Sequence, residues 1–166
     1  KFFNCSRAPA VANEALQCHG GNGFIEENPM ARVYREAPLN SVWEGTANMM
    51  CMDVRRAMRK DPACRAALLA ELLEVRGESR PFDAFVEGLP GLLDAMMDDE
   101  FLARPATEAL ARAIQGAELV RHSTGEVIDG FVASRLGGTG RWGSLFGTLG
   151  SAVSQAQAHA IVEQGL

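Results

Sequence analysis

No stretch of this chain alternates apolar and polar residues with the period of a half-buried strand, while apolar residues recur at helical spacing along most of it. That constraint predicts an all-α fold, and a bundle of antiparallel, up-and-down helices is the default packing. The chain has 166 residues, 47% of them hydrophobic, which suffices for one sizeable core. Its 16 basic and 21 acidic residues give a net charge of -5, which disfavours general attraction to nucleic acid or anionic membrane. No apolar run approaches a membrane span, and no targeting segment is visible. Cys5, Cys18, Cys51 and Cys64 form no C-x-x-C pair and no zinc-like spacing with histidine, so no metal site is expected. Buried, reduced thiols in a cytoplasmic protein are the expectation.

The punctuation of the helices is legible. Lys1-Phe2-Phe3-Asn4-Cys5 enters a helical pattern directly, without initiator methionine or cap, as if cut from a longer chain within or just before a helix. That helix extends to residue 19, with Pro9 kinking it or marking its start, and Gly20, Gly21 and Gly23 end it. A loop closes at Pro29, and a short helix over 30–37 stops at Pro38. The next helix is expected over 41–60, capped by Asn40 or Ser41, with Glu44 in its first turn. Asp61-Pro62 opens another, reaching about Val75. Residues 82–97 are helical, with or without a break at Gly88 and Pro90, and 105–135 form a long helical stretch weakened by Gly116 and Gly125. Residues 137–150 read as an irregular glycine-rich loop, and 151–163 as a final helix. Composition shifts near residue 60, which divides a motif-rich part, 1–60, from a helical extension, 61–166, packed on the same bundle.

Two segments carry chemistry. Gly20-Gly21-x-Gly23 is a turn whose backbone can approach a polyanion without side-chain obstruction, although glycine also ends many ordinary helices. No strand precedes it, so it is not a dinucleotide-binding strand–turn–helix. Glu44 lies between Trp43 and Gly45. A first-turn glutamate is commonly just a solvated residue favoured by the helix dipole. Here Trp43 offers an apolar wall and Gly45 open space, and desolvation of that kind makes a carboxylate a stronger base. Thr46 and Asn48 add small hydrogen-bonding groups where a ligand's polar edge can sit.

Gln17-x-x-Gly20-Gly21-x-Gly23-Phe24, then Tyr34-Arg35-Glu36-Ala37, then Val42-Trp43-Glu44-Gly45-Thr46 together resemble the C-terminal domain of the acyl-CoA dehydrogenase family. The match is specific over residues 1–60 and weaker beyond, where the helical tail, Trp43 and Asn48 are most similar to the alkylation-response (AidB-like) branch. The resemblance implies a FAD-dependent oxidoreductase. Glu44 would be the base that takes the α-proton of an acyl-CoA thioester while the β-hydrogen leaves as hydride to the flavin. Thr46 and Asn48, beside Gly45, would contact FAD in the same subunit. Gln17, Gly20 and Gly21 would reach the FAD of a neighbouring subunit, so a homodimer or homotetramer is implied, together with N-terminal and β domains that this chain lacks. Departures from the family pattern are Trp43 for Tyr, Glu36 for Asp and Asn48 for Gln. They bear on the acyl substrate more than on FAD. Within the alkylation-response branch the alternative is a flavoprotein that binds or protects DNA with little dehydrogenation, which the net charge disfavours. The enzymatic reading requires Glu44 to lie in a water-poor niche beside a flavin ring supplied largely by other parts of the parent molecule; a Glu44 on the hydrated outer side of the bundle, away from the glycine corner at 20–23, would collapse it.

Other groups have plainer readings. His19, His122 and His159 fit structural or surface roles, and Met49, Met50 and Met52 fit core packing. Arg55, Arg56, Arg59 and Lys60 suit the C-terminal end of a helix dipole without a ligand. Arg141 and Trp142 belong to the glycine-rich loop, which lacks the Gly-Lys-Ser/Thr of a phosphate-binding loop.

Overall fold

The computed structural model describes residues 1–136 and 153–165, and the expected loop over 137–150 lies outside them. Among the described residues there is no strand. Eight α-helices follow in order: α1 Phe2–Cys18, α2 Pro29–Glu36, α3 Ala47–Lys60, α4 Pro62–Leu73, α5 Arg80–Asp98, α6 Ala103–His122, α7 Gly125–Phe131 and α8 Gln155–Gln164. Short 3-10 turns at Gly20–Gly23, Ala37–Ser41 and Glu100–Leu102 join several of them, and a π-type turn, Val132–Leu136, extends α7.

The centre is the α5–α6 hairpin. Buried residues on α5 are Phe82, Val86, Leu89, Leu93 and Met96, spaced alternately by four and three. Opposite them α6 buries Ala103, Ala106, Leu110, Ala113, Gly116 and Ala117. Bulky knobs on one helix thus meet mostly small residues on the other, the arrangement that lets two helices approach closely and interdigitate. Gly116 shows how tight the fit is: a Cβ there would come 2.5 Å from the Phe82 ring. One half of this seam continues into a cluster with Leu72, Val75 and Val132, the other into a cluster with Cys51 of α3. Helix α6 also packs on α1.

The hairpin decides one open reading and corrects another. Helix α5 runs through Gly88 and Pro90 without a break, because the apolar stripe that anchors it lies on its other face. Gly116 does not weaken α6 but makes room for Phe82. The long helical stretch instead divides at Ser123–Thr124, between α6 and α7. Pro9 likewise sits inside a continuous α1 that starts at Phe2. Asn28 caps α2 by accepting from the Met30 N–H at 2.9 Å, and Asp61 caps α4 by accepting from the Ala63 N–H at 3.0 Å.

Arginine side chains tie the ends together. Arg55 of α3 donates to the carbonyls of Met96 and Met97 at 2.7 and 2.8 Å, satisfying acceptors that the last turn of α5 leaves without helical partners. Arg121 of α6 donates to the Glu71 carbonyl at 2.9 Å and pairs with Glu74 and Glu118. Of the cysteines only Cys51 is buried, where desolvation raises its thiol pKa; Cys18 and Cys64 are exposed, contrary to the expectation of buried thiols. No disulfide forms among the four. Among the described residues no helix is long and apolar enough to cross a membrane.

Leu93 is fully buried in the seam. Leu93→Ala is expected to cost about 2–5 kcal/mol of unfolding free energy, measured by urea titration. Gly116→Val is expected to destabilise as well, by overpacking against Phe82.

Candidate functional site

Helix α3 does not begin where the sequence suggested. Residues 42–46 form a turn, and α3 starts at Ala47 with Thr46 at its cap position. Glu44 therefore precedes the helix instead of lying in its first turn. Its φ of 52° is in the left-handed region, the only such value for a non-glycine residue among the described residues, and Gly45 follows at φ 104°. Two successive residues of positive φ reverse the chain sharply, and the second needs glycine. A non-glycine residue held in this region stores strain of about 1–3 kcal/mol, a cost often found at functional turns.

Lys1 holds this turn. Its ammonium donates to the carbonyls of Trp43 and, at 2.8 Å, Gly45, the two residues that flank Glu44. Gly45 leaves no open space on its Cβ side, as the sequence suggested it would. A Cβ there would come 2.4 Å from the terminal methyl of Met50, which would have to swing aside, and the positive φ of Gly45 strains any side chain. Glu44 and Trp43 are exposed. This chain alone does not make the water-poor niche.

Thr46 and Asn48 are exposed at the start of α3. The Thr46 side chain makes no capping hydrogen bond. The first N–H groups of this 14-residue helix, beside the Glu44 turn, thus lack a side-chain cap from Thr46. Such a helix start favours an anionic or polar ligand edge.

The glycine corner follows the other end of α1. Gln17 is exposed in the last turn, and Gly20 adopts φ 59°. The three glycines differ in kind. A Cβ on Gly23 would come 2.3 Å from the Leu16 carbonyl oxygen, so this glycine serves the turn itself. A Cβ on Gly20 or Gly21 would meet no heavy atom within 4 Å, so their backbone is open to an outside group. The following loop is fixed to α2 by Arg35, which grips Glu26 through two bonds of 2.5 and 3.0 Å. Hydrogen bonding from Arg35 lowers the Glu26 carboxyl pKa. Among the described residues no cluster of three or more His, Cys, Asp or Glu is placed to hold a metal ion.

The two motifs do not form one site within the chain. The Glu44 turn is held by Lys1, and Gly45 packs near Phe2, Cys5 and Ser6 at the start of α1. The glycine corner follows the end of the same 17-residue helix. At roughly 1.5 Å per residue that helix separates them by about 25 Å. Sequence reasoning missed the Lys1 clamp, the left-handed Glu44 and the Arg35–Glu26 pair. The Glu44-Gly45 dipeptide before an apolar run was a usable signal for the turn. Nothing in the spacing foretold the other two.

Residues 1–59 match the family described as acyl-CoA dehydrogenase, C-terminal domain. AidB of Escherichia coli strain K12 is 36% identical over 124 residues, 75% of this chain and 23% of that protein. The mitochondrial isovaleryl-CoA dehydrogenase of Oryza sativa is 41% identical over 60 residues, 36% of this chain and 15% of the relative. The 3-methylmercaptopropionyl-CoA dehydrogenase of Ruegeria pomeroyi is 38% identical over 74 residues, 44% of this chain and 13% of the relative. The chain thus spans less than a quarter of the length of each of these relatives.

Gly23→Ala is expected to lower the unfolding midpoint, while Gly21→Ala leaves it unchanged, because only the first introduces a clash with backbone. Thermal denaturation followed by circular dichroism distinguishes them. An open glycine pair, a helix start without a side-chain cap and a strained carboxylate turn all fall within residues 1–59, the segment that matches the acyl-CoA dehydrogenase C-terminal domain.

Proposed function

We propose that the chain supplies the base and part of the cofactor site of a FAD-dependent acyl-CoA dehydrogenase, completed by the remaining length that its relatives possess. The observation that carries this reading is the Glu44 turn: a strained carboxylate, clamped by Lys1, beside an open helix start. Thr46 and Asn48 would hold one part of the cofactor there, with Gly45 keeping the turn closed. Gln17, Gly20 and Gly21 would meet the cofactor of a neighbouring subunit. The length of α1 between the two motifs suits that division, since one chain's glycine corner does not reach its own Glu44 turn.

The flavin, when bound, accepts the hydride from the β-carbon. This chain's task is the proton. Glu44 takes it from the α-carbon, and the charge that develops on the thioester carbonyl needs hydrogen-bond donors such as the Glu44 backbone N–H. The exposure of Glu44 weighs against the reading unless the rest of the protein, substrate and cofactor cover the turn. Burial there would strengthen the base by desolvation. The division near residue 60 is functional in this proposal, with 61–166 as a supporting extension and the whole assembling as a homo-oligomer in the cytoplasm.

Two outcomes test it. In the full-length protein Glu44→Gln is expected to lower kcat by about 100-fold or more while flavin absorbance is retained. Unchanged turnover of every acyl-CoA tried, or salt-sensitive DNA binding with no dehydrogenation, would remove Glu44 from the role of base. The 166-residue chain alone is expected to bind added FAD weakly or not at all, because most of the length found in its relatives is missing. Quenching of flavin fluorescence on titration measures this.

A further inference from the structure

The Lys1 ammonium decides more than the shape of the Glu44 turn. Its two acceptors, the carbonyls of Trp43 and Gly45, converge on one cation and so face one side of the backbone. Among the described residues no peptide bond is cis. In a planar trans unit the C=O of one residue and the N–H of the next point in opposite directions. The Trp43 carbonyl shares its unit with the Glu44 N–H, and the Gly45 carbonyl shares its unit with the Thr46 N–H. Drawing both carbonyls to Lys1 therefore turns the Glu44 and Thr46 N–H groups away from it. Neither of these N–H groups has a protein acceptor among the described residues, whereas the Val42 and Trp43 N–H groups before them bond to the Leu39 carbonyl at 2.9 and 3.2 Å. Both open donors belong to exposed residues.

Lys1 is itself anchored. Its carbonyl accepts the Cys5 N–H at 2.9 Å, and the adjacent Phe2 packs against the core cluster around Cys51, Leu93 and Met96. The crevice that Lys1 lines is bordered by Phe2, Cys5, Ser6, Ser41, Ala47 and Met50 besides Gly45, with no carboxylate among them. Nothing in that crevice draws the ammonium from the two carbonyls. A cation bonded to a carbonyl pulls electron density through the peptide unit, so the N–H at the other end becomes a stronger donor. That is the polarisation that makes linked hydrogen bonds cooperative.

We propose that Lys1 is a positioning residue for the dehydrogenation, a step that rests on the reading of Glu44 as base. Through the Trp43–Glu44 peptide unit it aims the Glu44 N–H at the thioester oxygen and polarises it, while the Glu44 side chain takes the α-proton. A donor is most effective when it is already fixed where charge develops, because none of its stabilisation is then lost to reorganisation. Lys1 touches neither substrate nor proton. Its contribution grows with the charge on the thioester oxygen, so it belongs to the transition state more than to substrate binding.

The full-length protein with FAD bound tests it. Lys1→Met is expected to lower kcat about tenfold, less than the hundredfold or more that follows outright loss of such a donor, with KM and flavin absorbance unchanged. Lys1→Arg keeps a cation and is expected to recover most of the loss. A second readout needs no turnover. In a Glu44→Gln background, the acyl-CoA turned over best by the parent protein is bound with 13C at its thioester carbonyl, and its infrared stretch is recorded. Adding Lys1→Met is expected to move that stretch to higher frequency, as a weaker donor polarises the carbonyl less. Unchanged kcat in Lys1→Met, a rise in KM alone, or an unmoved carbonyl stretch overturns the proposal. If Lys1→Met disturbs the circular dichroism, Lys1→Arg decides: kcat close to that of the parent supports the proposal, and a loss without change in circular dichroism overturns it. Full turnover by Glu44→Gln, or no turnover of any acyl-CoA by the parent, overturns the base reading and this proposal with it. Turnover lost in Glu44→Gln but kept in Lys1→Met overturns this proposal alone.

Discussion

The large-on-small seam between α5 and α6 is the contact from which the other helices take their places. Phe82 lies against Gly116, and Leu93 and Met96 share a cluster with Ala103, Ala106 and Leu110. Because α6 presents mainly alanine and glycine, the two helices approach closely enough to exclude water along their length. Cys51 packs into one half of that seam and brings α3 with it. The start of α3 then sets where the Glu44 turn emerges. The position of the carboxylate is thus fixed from the far side of the bundle, through packing, and not only by local sequence.

At the turn itself local forces compete. A left-handed glutamate is unfavourable, and an exposed one has no burial to offset the strain. Lys1 supplies two hydrogen bonds to the flanking carbonyls, and Met50 closes over Gly45. The turn is therefore held by a lysine from α1's entrance and a methionine from α3's first turn. The glycine corner is built otherwise. One glycine there is needed for backbone closeness, while the two preceding it leave their faces bare. A surface that is both bare and rigid is suited to receive a group from outside the chain.

Much of this was legible in the residues. Helix-stopping prolines and glycines, Asp61-Pro62 and the absence of strand alternation foretold the class of fold and most helix borders. The motif residues Gln17, Gly20, Gly21, Glu44, Thr46 and Asn48 were legible as a family pattern. What was not legible depends on tertiary contacts. Whether Pro90 breaks its helix was open in the sequence, and the stripe from Phe82 to Met96 carries α5 through it. Gly116 reads as a weakness, yet it faces a ring from another helix. Cys18 and Cys64 read as apolar positions and lie on the surface. The start of α3 was misjudged because Ser41 is a good cap by type. Its hydroxyl instead donates back to the Pro38 carbonyl at 2.8 Å and finishes the preceding turn.

The guanidinium of Arg55 has one more implication. It joins the segment shared with the dehydrogenase family to carbonyls some forty positions downstream, and Cys51 next to it is surrounded by residues from the same distant stretch. A recombinant piece trimmed at the family boundary, after residue 59, would carry a bare sulfhydryl, an orphaned cation and no lid over either. A nick in the backbone between the two stretches, by contrast, would leave both halves clasped.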